Sequence, residues 1–373
     1  IRMHGRRRVF IRRSRGFAPA PVILKRKAKL CALGLGGELN NTSCLVTQNR
    51  AFVSQHIGDV ENIETWNFLE NTVTHLIHLT NSKVETVACD LHPRFNTTKL
   101  ARKIALKNDW PLVQVQHHHA HLAALMAEHD TNEMVGICCD GYGYGTDGEA
   151  WGGEILLSTG ETHSFRRLGH LEKQPLIGGD NATTYPLRVA AGILSKVEDI
   201  SDWLGENAQH FPHGRKEVEL ILNQVKRGHN TIQTTSCGRV LDAVASVLDV
   251  CFERTYEGEP AMKLESLATM GKEVVELKPK IDKNVLDTTE MLHFIFENRR
   301  KLSRADLAYS AHTYLAKGLA AIAAEQALSN GVETIGFTGG TACNAILATM
   351  VRRLTEAEGL RCLVHEAVPP GDG

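Results

Sequence analysis

The chain has 373 residues, with 42 Lys and Arg against 43 Asp and Glu and a formal net charge of −1. Its 42% hydrophobic and 23% charged residues are those of a folded globular protein, and no apolar run is long enough to span a bilayer. The length predicts two packed domains rather than one core.

Taken in order, residues 1–29 carry basic side chains and no acidic ones. Such a leader reads as a nucleic-acid arm, a transit peptide, a phosphate-facing strand end or an exposed tail. Beginning at Ile1, the chain reads as part of a longer one. Residues 30–58 have the pattern strand, Gly/Asn-rich turn, strand. A helix is predicted over 61–82, a strand over 84–89 running into Asp90, and a helix over about 97–108. The strand "PLVQVQ" then delivers "HHHAHLAALMAEH". Residues 134–158 repeat the opening design, a buried strand entering the glycine turn "DGYGYGTDGEAWGGE". Residues 161–300 read as mostly helical and irregular, with a clear helix over 239–250. A long Ala-rich helix follows over 304–329, with Ser303 and Asp306 as a capping pair and Gly331 as its stop. "VETIGFTGG" is a strand ending in two glycines, a helix starts near Asn344, and "CLVHEAV" is the last strand, ended by Pro369-Pro370. Nine cysteines, an odd number with no CxxC pair, fit buried thiols in a reducing cytoplasm better than a disulfide framework.

The strand–glycine turn–strand unit occurs twice, each time joined to βα units. That predicts a duplicated α/β architecture with a cleft between two lobes. Facing glycine turns bring backbone N–H groups near phosphate oxygens, so the two turns and Thr338-Gly339-Gly340 are candidates to clamp a nucleotide. Plain hairpins need glycine too.

His117 and His121 are four apart and share a helix face, a usual metal-binding device. His118 aligns with Leu122 and Leu125 and reads as packed or supporting. His119 points elsewhere, and His129 reads as helix surface. Two histidines need further ligands. Asp140 stands where a buried strand enters a glycine turn, and Asp372 stands past the last strand. Carboxylates at strand C-termini face the ligand crevice of open α/β sheets. A His₂Asp₂ site for Zn²⁺ or Fe²⁺ is chemically sensible, although sequence spacing does not bring the four together.

"SQHIGDVEN", "CDLHPRF", "VQHHHAHLAA", "DGYGYGTDGEAWGGE" and "PPGDG", in this order along the chain, resemble the HypF carbamoyltransferases, over essentially the whole chain. "FIRRSRGFAPAPV" resembles the end of that family's YrdC-like domain. The resemblance implies a duplicated actin/hexokinase-like (ASKHA) nucleotide-binding fold. It implies residues 1–28 as the end of a YrdC-like domain or a linker, 29–130 as a first lobe, and 131–373 as a second lobe with a helical insertion over about 161–300. It also implies a metal- and ATP-dependent transfer of the carbamoyl group of carbamoyl-adenylate to the C-terminal cysteine of HypE, for the cyanide ligands of nickel–iron hydrogenase. By motif match, His117, His121, Asp140 and Asp372 would be metal ligands with catalytic roles. Gly141, Gly143 and Gly145 would lie by the phosphates, with Gly339, Gly340 and Asn344 in a nucleotide loop. Gly179, Asp180 and Gly258 would approach the nucleoside, Asp180 through the ribose hydroxyls. The cofactors implied are Zn²⁺ or Fe²⁺, ATP or carbamoyl-adenylate, and Mg²⁺. The partner implied is HypE, with neither membrane nor nucleic acid.

The chain departs from the family pattern in "GGTACN", where "GGVFQN" is usual, and in Tyr185-Pro186-Leu187-Arg188, where an acid often precedes the proline. It also stops just past Asp372, before a helix that the family carries there. Two other readings compete. A nucleotide-gated module of the actin/chaperone fold would need phosphate turns but no histidine pair. A tRNA threonylcarbamoyl-transferase-like enzyme would use the basic leader as an RNA arm.

Overall fold

A computed structural model describes residues 1–4, 7–160 and 164–372. Two sheets organise it. In the first, Val22–Ile23, Arg50–Val53, Ser43–Thr47, Ala32–Leu35, Thr86–Asp90 and Leu112–Val115 lie side by side in that order. Ala32–Leu35, Ser43–Thr47 and Arg50–Val53 form an antiparallel meander, and Thr86–Asp90 and Leu112–Val115 add parallel to its first strand. The second sheet repeats this plan. Glu133–Tyr144, Ala150–Thr159 and Ser164–Leu171 form the meander, and Thr334–Thr338 and Arg361–Leu363 add parallel beside Glu133–Tyr144. Numbered from the start of each meander, both halves have the strand order 3-2-1-4-5. One strand order used twice is the duplicated actin/hexokinase-like architecture.

Parallel neighbours need crossover connections, and helices supply them. In the first half these are Ile63–Thr80 and Asn96–Asn108, and in the second Arg304–Ser329 and Ala345–Ala357. Ile63–Thr80 is started by the Asn62 side chain, which accepts the Thr65 N–H, and stopped by Asn81 in the left-handed region. Ser303 holds the N-cap position of Arg304–Ser329 without a side-chain capping bond, and Asp306 accepts the Lys272 N–H instead of closing a capping box.

Ser164–Leu171 is a strand where a helical insertion was expected. Its Arg166, Arg167 and His170 sit among half-buried positions, so no apolar alternation marks it. The insertion proper adds the strands Gln174–Ile177 and Thr231–Thr234 and several helices, among them Pro186–Leu194, Arg215–Arg227 and Cys237–Val247. Cys237–Val247 begins before the predicted 239 because Ser236 caps it, accepting the Arg239 N–H at 3.1 Å, and it ends at Val247 rather than 250. The last strand stops at Leu363, because the N–H groups of Glu366 and Ala367 turn to the Glu128 carboxylate rather than to a neighbouring strand.

At the start of the chain, Arg2–His4 pairs with Arg7–Val9, and the Arg2 guanidinium meets the buried Glu265 carboxylate at 2.6 and 2.8 Å. Val22–Ile23 joins the edge of the first sheet, and the Leu24 and Ala28 N–H groups bond to Asn49 and Gln48 carbonyls. Among the described residues no helix is long and apolar enough to cross a membrane.

One packing contact matters most. The helix His117–His129 follows the fifth strand of the first sheet but lies on the second. Its Leu122, Leu125 and Met126 pack against Met134, Cys138, Trp151, Leu156 and Leu363. Glycines let it approach: a Cβ on Gly136 would stand 2.5 Å from Leu122, and one on Gly336 would stand 2.7 Å from Leu125. The histidine helix is therefore shared between the two halves.

Candidate metal centre between the halves

The helix begins at Gln116, whose side-chain oxygen accepts the His119 N–H at 2.9 Å. This cap sets the first turn, which carries His117 and His121 on one face. Both imidazoles are buried. His117 Nδ1 donates to Asp90 Oδ2 at 2.9 Å, which leaves Nε2 facing the cleft. Asp90 ends the strand beside Leu112–Val115 and is itself fixed by the His92 N–H at 2.8 Å.

Four side chains converge. His117 Nε2 and His121 Nε2 are 3.2 Å apart. Asp140 Oδ2 is 3.1 Å from His121 Nε2 and 3.7 Å from His117 Nε2, and Asp372 Oδ1 is 3.3 and 3.7 Å from the same atoms. Ligand atoms of a tetrahedral ion with bonds of about 2.0–2.1 Å stand about 3.3 Å apart. The three spacings around His121, 3.1–3.3 Å, match that edge length, whereas the two from His117 to the carboxylates, 3.7 Å, are longer, and Asp372 stands outside the tightest group. Asp140 Oδ2 is moreover buried and lacks a hydrogen bond. His117, His121 and Asp140 form a group able to hold a metal ion, and the residues present fit Zn²⁺ or Fe²⁺.

The electrostatics agree. Burial pushes both imidazoles toward neutrality, but facing carboxylates outweigh it. Asp372, Asp140 and Asp90 raise His117 well above its ordinary value, and Asp140 and Asp372 raise His121 to about 9. Burial also opposes ionisation of Asp140, yet the two imidazoles hold it well below the usual carboxylate range. In the metal-free protein, then, bound protons balance the carboxylates. His118 behaves oppositely: burial and the neighbouring His117 lower it well below its ordinary value. It is packed, with Nδ1 3.1 Å from the Gln116 amide. His119 Nε2 meets Ser158 Oγ at 3.1 Å, and His129, expected on the helix surface, meets the Val364 carbonyl at 2.8 Å.

Several glycines of the predicted phosphate turns also allow close packing. The N–H groups of Gly141, Gly145 and Gly339 already have acceptors: Asp140 Oδ1, the Glu149 carbonyl and the Pro370 carbonyl. A Cβ on Gly143 would collide with the His118 ring and stand 2.8 Å from His117 Cδ2, and one on Gly145 would strike Trp151 and Asp147. Gly339 has φ +93°, and a Cβ on Gly340 would lie 3.0 Å from Asp140 Oδ1. These contacts bring the turns at 140, 340 and 371 together around Asp140. Ser236 Oγ adds a tie, reaching the Asp140 and Gly141 carbonyls at 2.9 and 2.8 Å.

Asn344 caps the helix Ala345–Ala357 by accepting the Leu347 N–H at 3.1 Å. Gly179 (φ +59°) and Gly258 (φ +74°) stand at the N-termini of the helices Asp180–Thr184 and Glu259–Ala268. Asp180 is exposed and close enough to Tyr142 to act on its ionisation. Glu257, exposed at the surface, accepts a bond from Asn40 across the cleft. Beside the metal centre a cavity of about 410 Å³ is lined by apolar groups including Leu35, Val46 and Val53, and reaches His117, His121 and Asp372.

Sequence reasoning passed over Asp90. Its signal was present, since it ends a strand as Asp140 does. Glu128 and His365 carry no comparable signal, because they partner across 237 positions of the chain.

Comparison with known proteins bears on what this centre is. Residues 27–128 match the family model described as the HypF Kae1-like domain, and residues 136–373 match the second subdomain of the carbamoyltransferase Kae1-like domain. The "Probable carbamoyltransferase HypF" of Methanocaldococcus jannaschii is 40% identical over 98% of this chain and 48% of its own length. The "Carbamoyltransferase HypF homolog" of Cupriavidus necator is 35% identical over 91% of this chain and 88% of its own length. The crystal structure of T. kodakarensis HypF superposes with a TM-score of 0.90 at 39% identity, covering 98% of this chain and 48% of that one. A full-length HypF in a phosphate- and nucleotide-bound form gives 0.88 at 32% identity, covering 98% and 47%. The chain spans about half the length of most of these relatives. Family models matching residues 27–128 and 136–373, with a relative 40% identical over 98% of the chain, place the chain in the HypF carbamoyltransferase family.

Proposed function

We propose that this chain is the carbamoyl-transfer unit of a cytoplasmic hydrogenase-maturation enzyme. It takes up carbamoyl-adenylate, made from ATP with release of pyrophosphate elsewhere in the full-length protein, where residues 1–28 are the end of a YrdC-like domain or a linker. It passes the carbamoyl group to the C-terminal cysteine of HypE, for synthesis of the cyanide ligands of nickel–iron hydrogenase. The observation that carries the reading is the convergence of His117, His121, Asp140 and Asp372 at the junction of the halves.

A bound Zn²⁺ or Fe²⁺ would supply Lewis-acid polarisation of an oxygen of the nucleotide or carbamoyl group. This chain's residues do the rest. Asp90 holds the His117 ring with Nε2 toward the cleft. Gly179, Asp180, Gly258, Gly339, Gly340 and Asn344 border the nucleotide and its Mg²⁺, with Asp180 toward the ribose. The apolar walls of the neighbouring cavity keep bulk water from the mixed anhydride. In the transfer, the partner's thiol gives up its proton to solvent and the thiolate sulfur attacks the carbamoyl carbon. The bond from that carbon to the phosphate oxygen breaks, and AMP leaves with the electron pair.

Three of the chain's own thiols are poor competitors. Burial holds Cys138 well above its ordinary value and Cys44 at about 11, and Cys139 is raised by a hydrogen bond with the free Cys237 thiol and by burial. All three stay protonated and unreactive at neutral pH.

Metal analysis of the wild-type chain and His117→Ala, with carbamoyl-adenylate hydrolysis and carbamoylation of HypE followed by mass spectrometry, tests the reading. The variant is expected to lose metal and both activities. Full metal and activity in the variant would overturn the site.

A further inference from the structure

The helix that begins with His117 ends with Glu128 and His129, and both reach the segment leading to Asp372. Glu128 Oε2 accepts from His365 Nδ1 at 2.8 Å. Glu128 Oε1 accepts the backbone N–H of Glu366 at 2.8 Å and that of Ala367. His129 Nε2 donates to the Val364 carbonyl at 2.8 Å. On its far side, His365 Nε2 is 3.0 Å from Thr338 Oγ1, which lies 3.3 Å from the Pro370 carbonyl. The side chains of Glu128 and His365 are 9% and 2% exposed.

Burying a carboxylate is costly unless donors satisfy it. Here three donors do, and all three belong to residues 365–367. That segment has left the Arg361–Leu363 strand and carries no regular structure before Asp372. The same rigid helix thus presents two imidazoles at one end and grips the carrier of the fourth ligand at the other. Asp372 comes from the end of the chain and the histidines from the first half, so some contact must set their separation.

We propose that Glu128 and His365 are positioning residues for the metal centre, which fix Asp372 Oδ1 relative to His117 and His121. This rests on the metal-centre reading above. A ligand moved out of place weakens binding even though its side chain is intact, and partners that orient ligands are typically worth about 10–100-fold in metal affinity.

The test is a double-mutant cycle on Co²⁺ affinity, measured by calorimetry together with the visible ligand-field spectrum. Glu128→Ala is expected to weaken Co²⁺ binding by about 10-fold or more and to alter the spectrum. Asp372→Ala is expected to do the same. If Glu128 acts through Asp372, Glu128→Ala costs nothing further in the Asp372→Ala background. Glu128→Gln, which keeps an acceptor for the Glu366 and Ala367 amides, is expected to recover part of the affinity, and it replaces the alanine variant in the cycle should that not fold. An unchanged affinity in both Glu128 variants, or an equal loss with and without Asp372, would overturn the proposal alone. A wild-type chain that binds no Co²⁺, Zn²⁺ or Fe²⁺ would overturn the metal-centre reading and this inference with it.

Discussion

His121 shows how one residue's ionisation links stability to function. Asp140 and Asp372 raise its metal-free value from 6.5 to about 9 against the opposing effect of burial. A raised imidazole stabilises the fold fully below its unfolded value and loses that contribution as pH climbs through the folded one. The metal-free protein should therefore lose stability between about pH 6.5 and 9, within the range of that shift. Metal ligation requires the neutral ring, so metal affinity should rise over the same interval, with protons released on binding. Calorimetry in buffers of different ionisation enthalpy measures that release. Proton uptake, or an affinity flat across the interval, would contradict the assignment of His121 as a ligand.

Elements hold the centre through close approach, and the glycines make that approach. Gly143 has room only for hydrogen beside the His118 ring and His117 Cδ2. Gly143→Ala should destabilise the fold by about 1–3 kcal/mol, the usual cost of overpacking. Because the collision displaces the ring of a ligand, it should also weaken metal binding. Denaturant unfolding and metal titration on the same variant check both effects. A variant with wild-type stability would show that the Glu133–Tyr144 strand yields. The glycine turn was legible as a turn and as part of the cleft. That its residues accommodate histidines was not, because the rings come from a helix in the other half.

At the scale of the molecule, the proposed ligands are split between the halves. His117 and His121 follow the first sheet, whereas Asp140 and Asp372 belong to the second. An ion bound by all four would cross-link the halves and stabilise only the folded arrangement. With free Zn²⁺ at 100 times its dissociation constant, the gain is about 2.7 kcal/mol. Scanning calorimetry should accordingly show a rise in Tm that a chelator reverses and that Asp140→Ala abolishes. An equal rise in Asp140→Ala would place the ion elsewhere, and the exposed group Glu198, His293 and Glu297 would be the next place to look.

Several features were set by the sequence alone. Period and punctuation determined most strands and crossover helices, the doubled strand–turn–strand plan and the shared face of His117 and His121, because such patterns are local. Asp140 was legible by the same logic, from its place where a buried strand meets a glycine turn. Tertiary structure decided the remainder. It brought Asp140 and Asp372 within 3.3 Å of His121, oriented His117 through Asp90, and shortened the last strand in favour of the Glu128 contact. It also made Ser164–Leu171 a third meander strand despite its polar residues. The physical reason is common to all of these. Hydrogen bonds and ion pairs between segments far apart in the chain depend on how the halves dock, and no local spacing encodes that docking.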